Sequence, residues 1–330
     1  MKSVILLGDV RDRLEELPSG SVRTCVTSPP YFGLRDYGTA DYEGGDPTCE
    51  HTISAVDADG KAVFTERVTR GDRTTCLKCG ATRVDSQIGL EQTPDAYVAE
   101  MVSVFREVWR VLADDGTLWL NIGDSYGKEK QLIGIPWRLA FALQADGWYL
   151  RSDIIWHKPN PMPESVTDRP TKSHEYLFLL SKSPKYFYDY EAIREEGVIK
   201  AGTKGAKGSV ERSTTNKVNS RPPEYKVYDG MRNKRDVWTI NTKPFKGAHF
   251  AVMPEALVEP CVLAGSAEGD TVLDPFTGSG TVAVVANRHG RNFVGTELNP
   301  EYAEIAKERI TNASPMFNEV EVFPKCAEKL

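Results

Sequence analysis

The first residues of the chain alternate between short apolar runs and polar turns. Val4–Leu7 predicts a buried strand, Asp12–Leu17 a short helix and Val22–Val26 a second strand. The tetrapeptide Ser28–Tyr31 follows, and its two prolines predict an abrupt end to strand pairing because proline has no amide hydrogen to donate. This segment therefore predicts a strand–helix–strand unit.

A longer periodic segment follows in the middle of the chain. Apolar residues recur at helical spacing from Tyr97 to Leu112, Asp115-Gly116 predicts a turn, and Thr117–Ile122 predicts a buried strand. A further helix is predicted over Ile135–Ala145, with strands over Tyr149–Trp156 and Tyr176–Leu180. Helices that alternate with strands in this way favour an α/β sheet.

The C-terminal part repeats the alternation. Its predicted elements are a helix over Pro254–Ala264, a strand over Thr271–Leu273, a helix over Thr281–Arg288, a strand over Asn292–Glu297 and a helix over Tyr302–Ile310. Two polar stretches, residues 38–92 and 197–247, lack periodicity and predict an insertion and an irregular segment.

Composition narrows the class of protein. With 40% hydrophobic and 27% charged residues the chain is typical of a globular protein, and it has no run of about 18 apolar residues that would predict a membrane span. The apolar start ends at Gly8 and Asp9 without a signal-peptide cleavage site. Scattered cysteines suit a reducing compartment better than a disulfide framework, so we expect a cytoplasmic protein without a membrane partner.

Charge is distributed unevenly. The net charge is −6, yet residues 200–246 contain 12 Lys and Arg against 4 Asp and Glu, a local charge of +8. A basic patch on an acidic body is typical of phosphate binding, although a solvated flexible loop is an equally good interpretation of the charge alone.

The segment Thr271–Thr281 predicts a nucleotide-type site. An apolar strand ends at Asp274 and leads through Gly278, Ser279 and Gly280 into a helix. Glycines allow close backbone approach to a ligand, and helix N-termini attract anions. Glu297 ends the next strand, where a carboxylate can accept the hydroxyls of a ribose. A glycine loop alone also fits NAD.

The tetrapeptide Ser28-Pro29-Pro30-Tyr31 stands where open α/β sheets bind ligands, at the end of a predicted strand. The Ser28 hydroxyl and the Pro29 carbonyl are two acceptors for the hydrogens of an exocyclic base amine, and such acceptors turn the nitrogen lone pair outward. Pro29 and Pro30 stiffen the turn, and Tyr31 offers a ring on which an extruded base can stack. An ordinary structural loop remains the alternative.

Together these motifs resemble the amino-methylating DNA methyltransferases of the β class, in which the catalytic tetrapeptide precedes the loop that binds S-adenosylmethionine (SAM). The resemblance rests on Ser28–Tyr31, on Asp274–Thr281 and on Gly295–Tyr302, and it extends through residues 154–160, 171–178 and 249–257. It implies a Rossmann-like fold with a mostly parallel central sheet and helices on both faces.

The resemblance also assigns residues to the cofactor. Phe276 is expected beside it, Glu297 at its ribose and Asp9 near its adenosine, while His249 and Phe250 are expected at the methionine end. The full set of expected cofactor residues is Asp9, His249, Phe250, Asp274, Pro275, Phe276, Gly278, Ser279, Gly280, Thr281, Glu297 and Asn299.

The target base follows from the first tetrapeptide residue. In this family serine is associated mostly with N4 of cytosine and aspartate mostly with N6 of adenine, so Ser28 favours cytosine and leaves adenine as the alternative. An RNA substrate and a non-catalytic DNA-binding protein are further alternatives.

Two pairs of ligands predict a metal in the insertion. Cys49-Glu-His51 and Cys76-Leu-Lys-Cys79 supply four groups suited to tetrahedral zinc, and the glycine after Cys79 is typical of a zinc knuckle. With four protein ligands we expect a structural metal. Unpaired loop cysteines are the alternative.

The basic segment falls where β-class enzymes carry their target-recognition region, so we expect double-stranded DNA as the partner in a bacterial, archaeal or phage-infected cell. Its candidate DNA contacts are Arg212, Arg221, Arg232, Lys234 and Arg235.

The predicted domain organisation has four parts. Residues 1–37 and 93–196 form the catalytic half, and residues 38–92 form the zinc-binding insertion. Residues 197–247 form the target-recognition region, and residues 248–330 form the SAM-binding half.

Overall fold

The computed structural model describes residues 1–34, 37, 39–49, 75–76, 78–127, 129–199, 201–206, 225–242, 252–313 and 319–324. Two compact units are present: Met1–Tyr188 together with Asp236–Leu330, and Asp189–Arg235. No helix of the described ranges has the length and apolar character needed to cross a membrane.

The elements are as follows in chain order. The strands are β1 (Lys2–Leu7), β2 (Val22–Thr27), β3 (Asp41–Glu43), β4 (Thr82–Val84), β5 (Leu112–Ile122), β6 (Tyr149–His157), β7 (His174–Ser181), β8 (Glu195–Glu196), β9 (Lys204–Ala206), β10 (Tyr225–Val227), β11 (Met231–Arg232), β12 (Val237–Thr239), β13 (Thr271–Asp274), β14 (Asn292–Glu297) and β15 (Glu319–Phe323). The helices are α1 (Val10–Glu15), α2 (Pro94–Val111), α3 (Ile135–Ala145), α4 (Glu255–Gly265), α5 (Thr281–Arg288) and α6 (Pro300–Ala313).

The larger unit is built on a nine-stranded sheet of order β12-β6-β7-β5-β2-β13-β14-β1-β15. Strand β7 runs antiparallel to both of its neighbours, and the other pairs in the sheet are parallel. Consecutive residues of β2 and β13 are buried, which means that both faces of the central sheet are covered. The predicted α/β class with a mostly parallel sheet is confirmed.

Helix α2 supplies much of the core on one side of the sheet. Its N-terminus is capped by Thr93, whose hydroxyl accepts a hydrogen bond from the amide of Ala96 at 3.1 Å, and Pro94 occupies its first turn. Its buried stripe includes Met101, Phe105 and other apolar residues at helical spacing, as the periodicity predicts.

The order of strands at the centre of the sheet determines where the predicted motifs meet. Strands β2 and β13 pair in parallel, with Val272 opposite Thr24 and Leu273 opposite Cys25. Because parallel strands end at the same edge, the segments that follow Thr27 and Asp274 leave the sheet side by side. Strand β14 lies on the other side of β13 and brings Glu297 to the same edge.

Three features of the nine-stranded sheet differ from the sequence-based expectation. The predicted turn at Asp115-Gly116 lies inside β5 as an irregularity: the pairing with β2 jumps from Val22–Leu112 to Thr24–Thr117. Strands β12 and β15 were not predicted, since three residues are too few for a periodic signal and β15 has no fully buried residue.

The smaller unit is held by two short antiparallel pairs, β8 with β11 and β9 with β10. Arg194 binds both carboxylate oxygens of Asp229, at 2.5 and 2.9 Å, and its guanidinium lowers the pKa of Asp229 to about 2. Glu195 accepts hydrogen bonds from Arg232 at 2.9 Å and from Arg235 at 2.7 Å.

Candidate active site

A cavity of about 1000 Å³ opens at the carboxyl edge of the central strands. Its walls include Asp9 after β1, Ser28 after β2, Asp274 at the end of β13 and Glu297 at the end of β14. The structure thus brings the tetrapeptide and the glycine loop into one cavity, at the position where open parallel sheets bind ligands.

The tetrapeptide is held by its backbone. The Tyr97 hydroxyl, which α2 presents from the core, donates to the Pro30 carbonyl at 2.9 Å. Among the described residues no donor contacts the carbonyl oxygen of Pro29, and Pro29 itself lines the cavity. The turn therefore presents an open carbonyl next to the Ser28 hydroxyl.

Tyr31 belongs to a polar network that the sequence did not reveal. Its hydroxyl donates to Glu175 at 2.8 Å and accepts from the Ser28 hydroxyl at 3.3 Å. Asn121 contacts Glu175 at 3.3 Å, and Lys158 forms an ion pair with it. Burial and the Glu175 charge raise the pKa of Tyr31 well above its usual value, so the phenol remains a donor.

The Tyr31 ring is also packed closely against backbone. A Cβ atom at Gly123 would lie 2.7 Å from the Tyr31 ring, so only glycine fits there without displacing it. Ring and hydroxyl are both constrained, which gives the Tyr31 ring one defined orientation at the cavity wall.

The carboxylate of Asp274 links the two motifs directly. Asp274 is 2% exposed, and its Oδ1 atom accepts from the Thr27 hydroxyl at 2.7 Å and from the Phe276 amide at 3.0 Å. Burial raises the pKa of Asp274 to about 7, with a smaller contribution from the charge of Glu297. A buried carboxylate of this kind is stabilised in its charged form by a cationic ligand.

Glu297 lies across the loop and is held by two backbone amides. Its Oε2 atom accepts from Gly278 at 2.8 Å and its Oε1 atom from Asn299 at 2.9 Å. Burial raises the pKa of Glu297 to about 7. These two hydrogen bonds fix the carboxylate at the cavity wall, where it can accept further hydrogen bonds.

The glycine loop is supported from below by α6. Gly280 has a φ of +77°, and a Cβ there would meet Ala306 of α6 at 3.0 Å. Arg309 on the same helix donates to the Ser279 carbonyl at 2.6 Å and to its hydroxyl at 2.7 Å. Thr281 also contacts Arg309, at 3.2 Å, so the loop hydroxyls are already engaged within the protein.

The remaining predicted cofactor residues are placed unevenly. Pro275, Phe276, Gly278 and Asn299 line the cavity. Asp9 lines it too, but its carboxylate caps α1 through the Arg11 amide and binds the Arg11 guanidinium at 2.5 Å.

Several predicted residues lie outside the described part of the chain: His51, Arg212, Arg221, His249 and Phe250. Of the predicted DNA contacts, Arg232, Lys234 and Arg235 lie in the smaller unit, where Arg232 and Arg235 share Glu195. Three predicted metal ligands, Cys49, Cys76 and Cys79, have sulfur atoms within 4.8 Å of one another.

Comparison with known proteins relates this geometry to one family. A family model described as DNA methylase, covering N6 and N4 enzymes, matches residues 22–308. The chain is 45% identical to the type II methyltransferase M.Cfr9I of Citrobacter freundii, over 92% of this chain and 86% of that protein. It is 43% identical to M.SmaI of Serratia marcescens, over 93% and 90%.

Solved structures share the fold. The cytosine-N4-specific PvuII DNA methyltransferase superposes with a TM-score of 0.59 at 18% identity, covering 98% of this chain and 95% of that one. TTHA0409 of Thermus thermophilus, described as a putative DNA modification methylase, gives 0.58 at 24% identity, over 98% and 100%. A structure of TTHA0409 in complex with S-adenosyl-L-methionine matches with the same score.

Asp274→Asn should stabilise the ligand-free protein above pH 7. The amide keeps an oxygen acceptor for Thr27, while the charge that burial disfavours is removed. Because the folded pKa is about 7 and the ordinary value 3.8, the folded state binds a proton that the unfolded state has already lost. The loss of stability caused by the buried charge is therefore absent below about pH 4 and complete above about pH 7, where it is on the order of a few kcal/mol.

Thermal unfolding from pH 4 to pH 8 measures this effect. The advantage of the variant over the wild type should grow as the pH rises. Asp114→Asn, which removes a fully exposed carboxylate, is the matched control. Equal pH dependence of thermal stability in Asp274→Asn and the wild type would contradict a buried carboxylate whose pKa is raised by desolvation.

Proposed function

The chain belongs to the N6/N4 DNA methylase family, and on that premise we propose that it transfers a methyl group from SAM to the N4 amine of cytosine in double-stranded DNA. The observation that carries the proposal is the hydrogen bond from Thr27 to Asp274, which joins the tetrapeptide strand to the glycine-loop strand. Relatives named as type II methyltransferases suggest a role in restriction and modification.

The residues at the cavity suit SAM. Asp274 would accept the ammonium of its methionine part, and Glu297 would accept the hydroxyls of its ribose. Both carboxylates are desolvated in the ligand-free protein, and a cationic or hydrogen-bonding ligand replaces the water they have lost. When bound, SAM supplies a methyl group on a positively charged sulfonium.

The tetrapeptide would hold the other reactant. The Ser28 hydroxyl and the open Pro29 carbonyl would accept the two hydrogens of the base amine, which withdraws the nitrogen lone pair from the ring and directs it toward the methyl group. After transfer the nitrogen loses a proton to solvent. The Tyr31 ring, fixed by Gly123 and Glu175, would stack on the extruded base.

Glu175 is a positioning residue in this scheme. It fixes the Tyr31 hydroxyl and balances the charge of Lys158, whose ammonium also lies 4.2 Å from the centre of the Trp156 ring. Lys158 and Trp156 line the same cavity, so the network defines the wall on the base side.

The choice of cytosine rests on Ser28, and family membership alone allows adenine N6 as well. DNA from methylation-deficient cells expressing the gene should contain N4-methylcytosine when it is digested to nucleosides and analysed by mass spectrometry. N6-methyladenine as the product would overturn the choice of base. DNA with neither modified base, from cells that contain folded protein, would overturn the proposed activity.

Ser28→Ala and Asp274→Asn should separate transfer from cofactor binding. Loss of the Ser28 acceptor should lower the rate of methyl transfer about 100-fold and leave SAM affinity within about threefold, as for other single hydrogen-bonding groups that act in the transition state. Loss of the Asp274 charge should weaken SAM binding at least about tenfold. Calorimetric titration with SAM and single-turnover methylation of duplex DNA measure the two effects, and identical profiles for both variants would contradict the assignment.

Tyr31→Phe and Tyr31→Ala test stacking on the base. Phenylalanine keeps the ring, so transfer should remain within about tenfold of the wild type, whereas alanine should lose a further 10- to 100-fold, consistent with the ~1–3 kcal/mol of one stacked base. Thermal unfolding checks that both variants are folded. Similar rates for the two variants would show that the ring does not contact the base.

A further inference from the structure

The insertion contains a cluster of sulfur atoms that methyl transfer does not explain. The Sγ atoms of Cys49, Cys76 and Cys79 all lie within 4.8 Å of one another, with 3.9 Å between those of Cys49 and Cys76. A disulfide would require about 2.05 Å. Four ligands at about 2.3 Å around tetrahedral zinc place neighbouring sulfur atoms about 3.8 Å apart, close to the 3.9 Å between the sulfur atoms of Cys49 and Cys76.

The backbone around the cluster has the form of a metal-binding turn. Gly80 has a φ of +74°, and its amide donates to the Cys76 carbonyl at 2.8 Å, which folds the chain tightly between Cys76 and Cys79. The Cys76 amide donates to the Ala81 carbonyl at 2.7 Å. Cys76 is 2% exposed, so its sulfur faces the other two rather than solvent.

Gly45 packs closely against the sulfur cluster. A Cβ atom at Gly45 would lie 2.8 Å from the Cys79 sulfur and 2.8 Å from the Ala81 amide nitrogen. At Gly44 the φ is +74°, almost the same as the +72° of Gly45, yet a Cβ there would contact no neighbouring atom. Only one of the two adjacent glycines is therefore required by the sulfur cluster.

The cluster stands at the end of a two-stranded clip that leads to the cavity. Strands β3 and β4 pair in antiparallel fashion, with the cysteines beyond one end and residues of the cavity wall beyond the other. Thr39, just before β3, donates to Asp85, just after β4, at 3.3 Å. The Tyr37 amide then donates to the Gln87 side chain at 2.7 Å.

The two segments at the cavity end of the clip, one before β3 and one after β4, contact both halves of the candidate active site. The Gly33 amide, two residues beyond Tyr31, donates to the Gly89 carbonyl at 2.8 Å. The Tyr37 carbonyl accepts from Asn299, next to the Glu297 loop, at 3.3 Å. Tyr37, Thr39, Gln87 and Ser86 all line the cavity, whereas none of the three cysteines does.

We propose that Cys49, Cys76 and Cys79 bind a structural Zn²⁺, and that this metal holds the clip closed and thereby fixes the cavity wall formed by Tyr37, Thr39 and residues 86–88. The metal takes no part in the chemistry, because its ligands do not face the cavity. Thiolates are preferred ligands of zinc, and the short strands β3 and β4 have little apolar surface of their own to hold them together.

Metal content tests the site without reference to methylation. The full-length protein, purified without chelators, should contain one zinc per chain by elemental analysis, and Cys79→Ser should contain close to none. Cys261→Ala, which removes a buried thiol from α4, should keep the full content. Zinc-free wild type that cannot be reconstituted with added zinc, or full retention in Cys79→Ser, would overturn the proposal.

Cobalt replacement and the glycine pair protect the test against misfolded cysteine variants. Wild-type protein exchanged with Co²⁺ should show sulfur-to-cobalt charge-transfer absorption, and its absence would overturn thiolate ligation. Gly45→Ala should bind zinc at least about tenfold more weakly than Gly44→Ala, because both alanines carry the same positive φ and only one crowds Cys79. Equal zinc affinity in the two variants would contradict the close packing of Gly45 against the sulfur cluster.

Hydrogen exchange tests the link to the cavity wall. On removal of zinc from the wild type, amide exchange in peptides covering residues 82–91 should become at least about tenfold faster, while peptides of α2 should not change. Unchanged exchange in residues 82–91 would overturn the proposed role of the metal in fixing the wall. Because none of these measurements uses SAM or DNA, failure of the zinc proposal is distinguishable from failure of the proposed methyl transfer.

Discussion

The hydrogen bond between the Thr27 hydroxyl and the buried Asp274 carboxylate is the interaction on which the arrangement of the site depends. It joins the ends of two strands that are far apart in sequence and adjacent in the sheet. The tetrapeptide after β2 and the glycine loop after β13 leave the sheet from these two ends. Any change in the order of the central strands would separate the tetrapeptide, which we propose to hold the base amine, from the glycine loop, which we propose to hold the methyl donor.

The site combines rigid hydrogen-bond acceptors with carboxylates that burial has removed from water. Tyr97 and the two prolines hold the tetrapeptide, and the Pro29 carbonyl has no described donor to compete with a substrate. Asp274 and Glu297 have pKa values raised to about 7 by burial. Burial therefore disfavours the charged form of both carboxylates in the ligand-free protein. In the proposed function a cationic cofactor would relieve this cost at groups that the fold has already oriented.

Sequence patterns located the central strands, the tetrapeptide, the glycine loop and the cysteine cluster, because each leaves a local signal: periodicity, paired prolines, closely spaced glycines or paired ligands. They missed groups whose meaning depends on tertiary contact. Glu175 stands at the start of an otherwise apolar strand, and that position was a usable signal, but its partner Tyr31 lies 144 residues away. The sequence pattern does not distinguish Arg309 from the other charged residues of an amphipathic helix. Its contact with the glycine loop depends on how α6 packs. The sequence pattern likewise did not predict the ion pair between Arg11 and Asp9.

The most direct test of the central claim is a crystal structure of the protein with duplex DNA and sinefungin, an analogue of SAM with an amine in place of the methylsulfonium. The account predicts sinefungin between Asp274 and Glu297, with the amine of an extruded cytosine within hydrogen-bonding distance of the Ser28 hydroxyl and the Pro29 carbonyl. A base amine positioned away from Ser28, or an analogue bound away from the glycine loop, would contradict it.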